Sequence, residues 1–402
     1  MTLSLWLDEN TEDSAVKTAI EVDLAIIGGG VVGAALAYQA RQKQPGIKVC
    51  VIEADSIASG ASGRGGGFVL RGIHTYYDSC VKQYGRDVAR YIYGLGARNQ
   101  VLMRQFKDDC QQDIDYDPCG SYLLASSLEE LEELARACTL MNEDGFAVEL
   151  LKRDPLDRGF YGALYNKDDF GINPVKLVRA LLAASEATVL EENAVRKIED
   201  MTICGSRRNV KAERIIIATN AYSSSVDSYF DGKLQPARGQ MIATVPLKKK
   251  VVEALCYANY GWEYFRQLPD RRMVVGGCRQ LFLAEEMVNE DAVSKPVQTA
   301  LEHYFKDHFP ELAGTAIDYR WSGTIAFTND GLPLLGQLPA QPGVYFAVGC
   351  NGHGLGYSMA LAEQLLKNIY DDEPCGPFAA EREGVRRVLT RARMTGEFEI
   401  GP

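Results

Sequence analysis

Gly28, Gly30 and Gly33 stand in GxGxxG order between a largely aliphatic run, Val22–Ile27, and an alanine-rich stretch, Val31–Gln44. That spacing suits a pyrophosphate. Gly28 permits a tight turn, Gly30 lets backbone approach the phosphates, and Gly33 lets helix and strand pack closely. A helix opening at Val31 and Val32 presents free N–H groups and the positive end of its dipole to an anion. Glu53, followed by Ala54, closes the next aliphatic run 20 residues beyond Gly33. An acid at that distance binds the ribose hydroxyls of an adenosine. It disfavours a 2′-phosphate and hence NADP, which leaves FAD and NAD.

A second glycine-rich loop, Ser59-Gly60-Ala61-Ser62-Gly63-Arg64-Gly65-Gly66-Gly67, begins six residues after Glu53. Further on, Tyr257, Tyr260, Trp262, Tyr264 and Phe265 precede Arg266. Alternating residues of a strand share a face, so a strand over 262–267 would aim Trp262, Tyr264 and Arg266 together. Aromatic faces suit a cationic amine, and a guanidinium suits a carboxylate. The histidines are His74, His303, His308 and His353. They form no metal spacing, and the closest cysteines are nine residues apart, so no zinc site is expected. His353 differs in lying within a glycine-rich turn, Gly349–Gly356.

These blocks resemble the D-amino-acid oxidase superfamily of FAD enzymes, the group of the glycine, sarcosine and γ-glutamylputrescine oxidases. The carriers are Gly60–Gly67, Tyr161–Leu164, Ile217–Tyr222, Tyr319–Gly323, Gly331–Gly336 and Gly349–Gly356, in the family's order. The likeness spans about 20–370. It implies FAD and a two-domain fold of the p-hydroxybenzoate-hydroxylase type. It implies cofactor contacts from the loop 59–67, from Val195, from Ala218, Thr219 and Asn220, and from Gly352, His353, Gly354, Leu355 and Gly356. In the family, the last block is a strand-turn-helix whose N-terminus faces the flavin. A flavin-linking Cys has no match in Trp321-Ser322-Gly323, and a linking His has none in Ser59–Gly67. FAD is therefore expected to be noncovalent. The oxygen-activating lysine of the sarcosine group has no secure counterpart; Arg266 and Arg279 lie in its region.

The elements that must position these residues follow from periodicity. Strand, turn, helix and strand over Val22–Glu53 make a parallel unit. Thr188–Leu190, Val195–Glu199, Arg214–Ala218 and Val344–Val348 also read as strands, with helices at Val175–Glu186 and from about Tyr357 to Tyr370. Between them, Ser121–Ala125, Gln240–Val245, Trp262–Gln267 and Met273–Gly277 read as strands, with helices over 80–110, Leu128–Asp144 and Val297–Phe309. The expectation is an α/β FAD domain of Rossmann type (20–110, 171–232 and 326–372) interleaved with an α+β, antiparallel-sheet substrate domain (111–170 and 233–325). A tail, 373–402, follows.

At 402 residues the chain exceeds one ordinary core. Its net charge of −11 disfavours nucleic acid and anionic lipid as partners. Arg382, Arg386, Arg387, Arg391 and Arg393 cluster in the tail and read as a solvated helix face. The longest weakly polar run, Leu24–Tyr38, has 15 residues including four glycines, too short for a membrane span. No signal peptide is evident, and a cytoplasmic location is expected.

The resemblance implies oxidation of an amine or amino acid at a C–N bond. His353, from its place in the last turn, and Arg266 are the catalytic candidates, and strand alternation puts Trp262, Tyr264 and Arg266 at the substrate. O2 or another acceptor would take the electrons. A dehydrogenase passing them to a quinone or carrier, and a flavoprotein with structural FAD in an assembly role, are the alternatives. Oligomeric state is left open.

Overall fold

The computed structural model describes residues 19–382. Two eight-stranded sheets organise it. The first runs, across its main path, Thr188–Leu190, Val49–Ile52, Ile20–Ile27, Asn209–Ile217, Val344–Val348 and Leu334–Gln337. Neighbours along this path are parallel up to Val344–Val348, and Leu334–Gln337 pairs antiparallel at the edge. Val195–Glu199 and Thr202–Gly205 extend it as an antiparallel hairpin beside Asn209–Ile217.

The first strand is buried on both sides, as a central parallel strand must be. Leu24 and Ile26 belong to one core cluster, Ala25 and Ile27 to another. Helix Val31–Lys43 lies against the first cluster, between helices Pro174–Ser185 and Gly354–Asp371. Its small residues Ala34, Ala35, Ala37 and Ala40 are fully buried, which allows that close three-helix approach. Asn173 accepts hydrogen bonds from the N–H groups of Val175 and Lys176, and Pro174 occupies the first turn, so the start of Pro174–Ser185 is specified locally.

The second sheet runs Ile317–Thr328, Leu234–Thr244, Met273–Gly277, Glu263–Gln267, Leu255–Ala258, Ser121–Ala125, Gly162–Asn166 and Glu149–Leu151. All neighbours are antiparallel except Leu255–Ala258 and Ser121–Ala125. Helix Lys295–His308 packs on it through Val297, Leu301 and Phe305, while helix Leu128–Glu143 starts at a Ser127 cap. A short pair, Phe68–Val69 with Phe170–Gly171, stands outside both sheets.

Several elements differ from expectation. Ile317–Thr328 is one twelve-residue strand of the antiparallel sheet, so it crosses the boundary expected at 326. Trp262 is not in a strand; it caps the turn before Glu263–Gln267 with φ −68° and ψ −31°. The stretch 80–110 is two helices, Tyr77–Tyr84 and Arg86–Asp109, broken at Gly85, whose φ of 88° is left-handed. Arg382 is no solvated residue. It grips Asp330 through Nε and Nη2 at 2.6 and 2.8 Å and donates to the carbonyls of Leu332 and Pro333. Arg386, Arg387, Arg391 and Arg393 lie outside the described residues. Among the described residues no helix is long and apolar enough to cross a membrane.

Candidate active site

The carboxyl ends of the parallel strands open onto a cavity of about 1180 Å³ that continues across to the antiparallel sheet. A single small-molecule site takes about 300–1,000 Å³. The volume thus accommodates more than one compact ligand.

Gly28, with φ 114°, ends the first strand so tightly that a Cβ there would meet Ala218 O at 2.6 Å. A Cβ on Gly33 would stand 1.9 Å from Gly28 O. A Cβ on Gly30 would reach Ser62 Oγ at 2.9 Å. Glu53 Oε2 accepts from Gly29 N–H at 2.7 Å, and its Oε1 from Asp55 N–H at 3.1 Å, so the acid also braces the turn. Ser62 Oγ accepts from Val31 N–H at 2.9 Å, which ties the second glycine loop to the start of the helix.

That loop is held from the opposite sheet. Arg64 donates to Ser59 O at 2.6 Å and to Ser322 O at 2.9 Å, and pairs with Asp291 at 2.6 Å. Trp321 Nε1–H donates to Arg64 O at 2.8 Å. A Cβ on Gly60 would meet nothing within 4 Å, and one on Gly65 only Ala61 O at 3.8 Å. These backbone-lined faces are open to the cavity, a surface that a flat ring system or phosphate can approach closely.

Most expected cofactor positions line this cavity: Gly28, Gly30, Val31, Val32, Glu53, Ala54, Ser59–Ser62, Arg64–Gly67, Val195, Ala218–Asn220 and Gly352–Leu355. Gly33, Gly63 and Gly356 do not. They act through packing instead, since a Cβ on Gly63 would meet Ala58 O at 2.3 Å and one on Gly356 would meet Leu70 O at 2.6 Å.

His353 sits at the N-terminus of helix Gly354–Asp371. Its Nδ1–H donates to Asn351 O at 3.0 Å, and burial holds its pKa below the ordinary value, so the ring is neutral. Gly354 and Leu355 line the cavity, and their N–H groups precede any carbonyl of their own helix. His74 lines the same wall. Burial, and then the neighbouring His353, pull its pKa down to about 4. Nothing in the sequence distinguished His74, because only the tertiary contact brings it here.

Rings cover the other end. Tyr264 stacks on Tyr257 with centroids 5.5 Å apart, and Tyr257 lies 6.3 Å from the His353 ring. Gly276 clears the space for this, since a Cβ there would fall 2.3 Å from the Tyr264 ring. Trp262 and Tyr264 line the cavity as expected.

Arg266 does not line it. The side chain is 1% exposed and donates to Gly67 O at 2.9 Å and Ile172 O at 3.3 Å, with Asp117 at 3.5 Å. It shares a strand with Tyr264 but lies at the far end of it, beneath the glycine loop. Of the two arginines noted in this part of the sequence, Arg279 is the one that lines the cavity. Its sequence signal was slight: a residue just beyond the strand Met273–Gly277. Phe327, inside the unrecognised strand, was missed for the same reason.

Among the described residues no cluster of three metal-ligating side chains forms. Cys350 also lines the cavity, but burial pushes its thiol up to about 12, which keeps it protonated.

A family model described as FAD dependent oxidoreductase, DAO, matches residues 23–367. Gamma-glutamylputrescine oxidoreductase of Escherichia coli (strain K12) is 27% identical over 364 residues, covering 85% of this chain and 82% of that protein. Glycine oxidase of Bacillus licheniformis is 25% identical over 387 residues, covering 91% and 99%. The crystal structure of glycine oxidase from Geobacillus kaustophilus matches with a TM-score of 0.76 at 22% identity, covering 91% of this chain and 100% of that one; it is a likeness of fold.

Proposed function

Since the chain belongs to the DAO family of FAD-dependent oxidoreductases, we propose that it oxidises a small amine or amino acid at a C–N bond. The observation that carries this reading is the single cavity that joins a dinucleotide cradle to an aromatic chamber. The overall reaction would consume the amine, O2 and water and release a carbonyl compound, the freed amine or ammonia, and H2O2.

Bound FAD would supply the hydride acceptor. The chain's residues hold, orient and exclude. The turn Gly28–Val32 and the neighbouring Glu53 would take the pyrophosphate and adenosine ribose, and Val195 would face the adenine. The loop 64–67 and the turn 352–355 would border the ring. Free N–H groups at Gly354 and Leu355 favour negative charge placed against them. Neutral His353 and the rings of Tyr257 and Tyr264 would give the amine a wall without charge. A neutral amine is favoured there over its ammonium, and hydride loss needs the neutral form.

FAD is noncovalent in this reading. Trp321–Gly323 has no cysteine, the loop 59–67 has no histidine, and Cys350 is a protonated thiol. Acid precipitation should leave the yellow colour in solution; a washed pellet that stays yellow refutes it. The function itself is tested anaerobically. A panel of primary amines, N-methyl amino acids, D-amino acids and acylated diamines should contain a compound that bleaches the flavin, and air should restore the colour with peroxide release. Recolouring without peroxide indicates a different electron acceptor. No bleaching by any member defeats the proposal.

A further inference from the structure

Ser127 and Glu130 stand in the order of a capping box, in which an acid in the first turn reaches back to a backbone N–H ahead of the helix. The start of helix Leu128–Glu143 carries that motif. Ser127 Oγ accepts from Glu130 N–H at 3.0 Å, and Glu130 Oε2 accepts from Ser126 N–H at 2.7 Å. One oxygen completes the cap. The other, Oε1, serves residues distant in the chain. It accepts from Tyr76 O–H at 2.5 Å and from Tyr260 N–H at 2.7 Å. Glu130 is 1% exposed, and a buried acid of this kind needs donors around it; these three supply them.

Both distant partners line the cavity, and Glu130 itself does not. Tyr76 ends the segment between the short strand Phe68–Val69 and helix Tyr77–Tyr84, and Tyr260 belongs to the turn before Glu263–Gln267. Their rings stack with centroids 5.4 Å apart and planes 29° apart. The turn is strained: Asn259, Tyr260 and Gly261 have φ of 50°, 56° and 83° in succession. Left-handed backbone at non-glycine residues persists only where the surroundings hold it. Among the described residues the acceptor for Tyr260 N–H is Glu130, and the Tyr260 hydroxyl reaches only Glu133, at 3.4 Å. Burial, and then Glu130, raise the Tyr76 pKa well above its ordinary value, so this hydroxyl stays a donor.

We propose that Glu130 is a positioning residue for the substrate: by holding the Tyr76 hydroxyl and the Tyr260 backbone on one oxygen, it joins two separate segments into a single ring pair on the cavity wall. This rests on the amine-oxidation reading above. Helix capping accounts for Oε2 and leaves the two bonds to Oε1 without a purpose. With the pair fixed in advance, an amine meets an ordered aromatic face and does not spend binding free energy on ordering it. Glu130 stands behind the rings and takes no part in hydride loss. Its effect therefore falls on binding, equally before and during the reaction.

The test uses purified holoenzyme and its Glu130→Gln, Tyr76→Phe and Ser127→Ala variants. Gln also completes a capping box, but with its oxygen on Ser126 N–H it turns only an NH2 group toward Tyr260 N–H. Ser127→Ala weakens the cap and leaves the ring pair its acceptor. In hydrogen–deuterium exchange, peptides covering 70–77 and 257–262 should both exchange faster in Glu130→Gln and match wild type in Ser127→Ala. With an amine that bleaches the flavin, Glu130→Gln should keep its FAD and raise KM about 2–12-fold, the range for one hydrogen bond, with kcat within about twofold. Ser127→Ala should melt lower with KM unchanged. Tyr76→Phe should also raise KM, and the double variant should fall short of the product of the two, because both remove one shared bond. Unchanged exchange in both peptides overturns the assignment. Faster exchange with an unchanged KM overturns it too, as does an equal rise in KM in Ser127→Ala, since either leaves Glu130 a helix cap alone. If Glu130→Gln does not fold, Tyr76→Phe decides through the 70–77 peptide and KM. If no amine bleaches the flavin of any form, the oxidation reading fails, while exchange still decides whether Glu130 holds this wall.

Discussion

At the Gly28–Gly33 end the cavity is walled by backbone and absent side chains; at the Trp262–Arg279 end it is walled by rings and a guanidinium. The first end would recognise an anion with N–H groups fixed by a turn, and its steric tolerance is minimal. Gly28, Gly30 and Gly33 are each confined by an atom within 3.0 Å of where a Cβ would stand. The second end would recognise by shape and charge, and its elements can change one at a time. Trp262, Tyr264 and Arg279 come from separate turns and strands of one sheet. The contrast teaches that the two ends answer to different constraints: backbone geometry fixes the first, and individual side chains shape the second.

The largest effect that sharpens this contrast is expected at Gly30. Gly30→Val would push branches against Ser62 and into the space a pyrophosphate needs. The variant should purify without flavin absorbance and melt at lower temperature, because bound cofactor no longer stabilises the native state. A normal flavin content would break the comparison at its backbone end.

Arg266 offers the next effect, on stability. Arg266→Met leaves Ile172 O and Asp117 without this donor and Gly67 O with only the Ile172 N–H. Hydrogen bonds to charged groups contribute about 1.5–3 kcal/mol each way, and a stability loss of that order is expected. Denaturant unfolding measures it. The same measurement on Arg279→Gln should show a smaller change, since among the described residues Arg279 has ring contacts but no hydrogen bond or ion pair to lose. Equal destabilisation by both would erase the distinction between a structural arginine and a ligand-facing one.

The smallest effect at neutral pH, growing only in acid, belongs to His74. Its folded pKa of about 4 lies below the ordinary 6.5, so the unfolded chain binds more protons between those values. Stability from this group is fully present above about 6.5 and is lost as pH falls toward 4. The melting temperature should decline over that window. His74→Phe, which cannot take a proton, should flatten the decline. An unchanged slope would show that His74 is not buried against His353 in solution.

The first end was legible because its chemistry is local. Strand, glycine turn, helix and acid are continuous over Ile20–Glu53, and Val31–Lys43 begins where the glycines end. Ser121–Ala125, Thr188–Leu190, Val195–Glu199, Met273–Gly277 and Val344–Val348 have the bounds their residues indicated. Ile317–Thr328 escaped because its first half carries Asp318 and Arg320 on exposed positions, so its alternation is clear only in the second half. Trp262 was placed in a strand because aromatic alternation looks the same in a strand and in the turn before it.

Sequence alone determined the glycine turn and the two kinds of sheet, which depend on spacing within a few dozen residues, and the family, which depends on the order of motifs along the chain. Which arginine faces the cavity was decided only in three dimensions. Arg266 and Arg279 are both cations at the ends of adjacent strands, and nothing local separates them. The difference is what lies across from each: two carbonyls from 67 and 172 take Nη1 of the first, while two rings from 262 and 327 face the second and accept none of its donors among the described residues. Those partners are brought together by the packing of one sheet against the loops of the other, and a guanidinium's role is set by the acceptors around it.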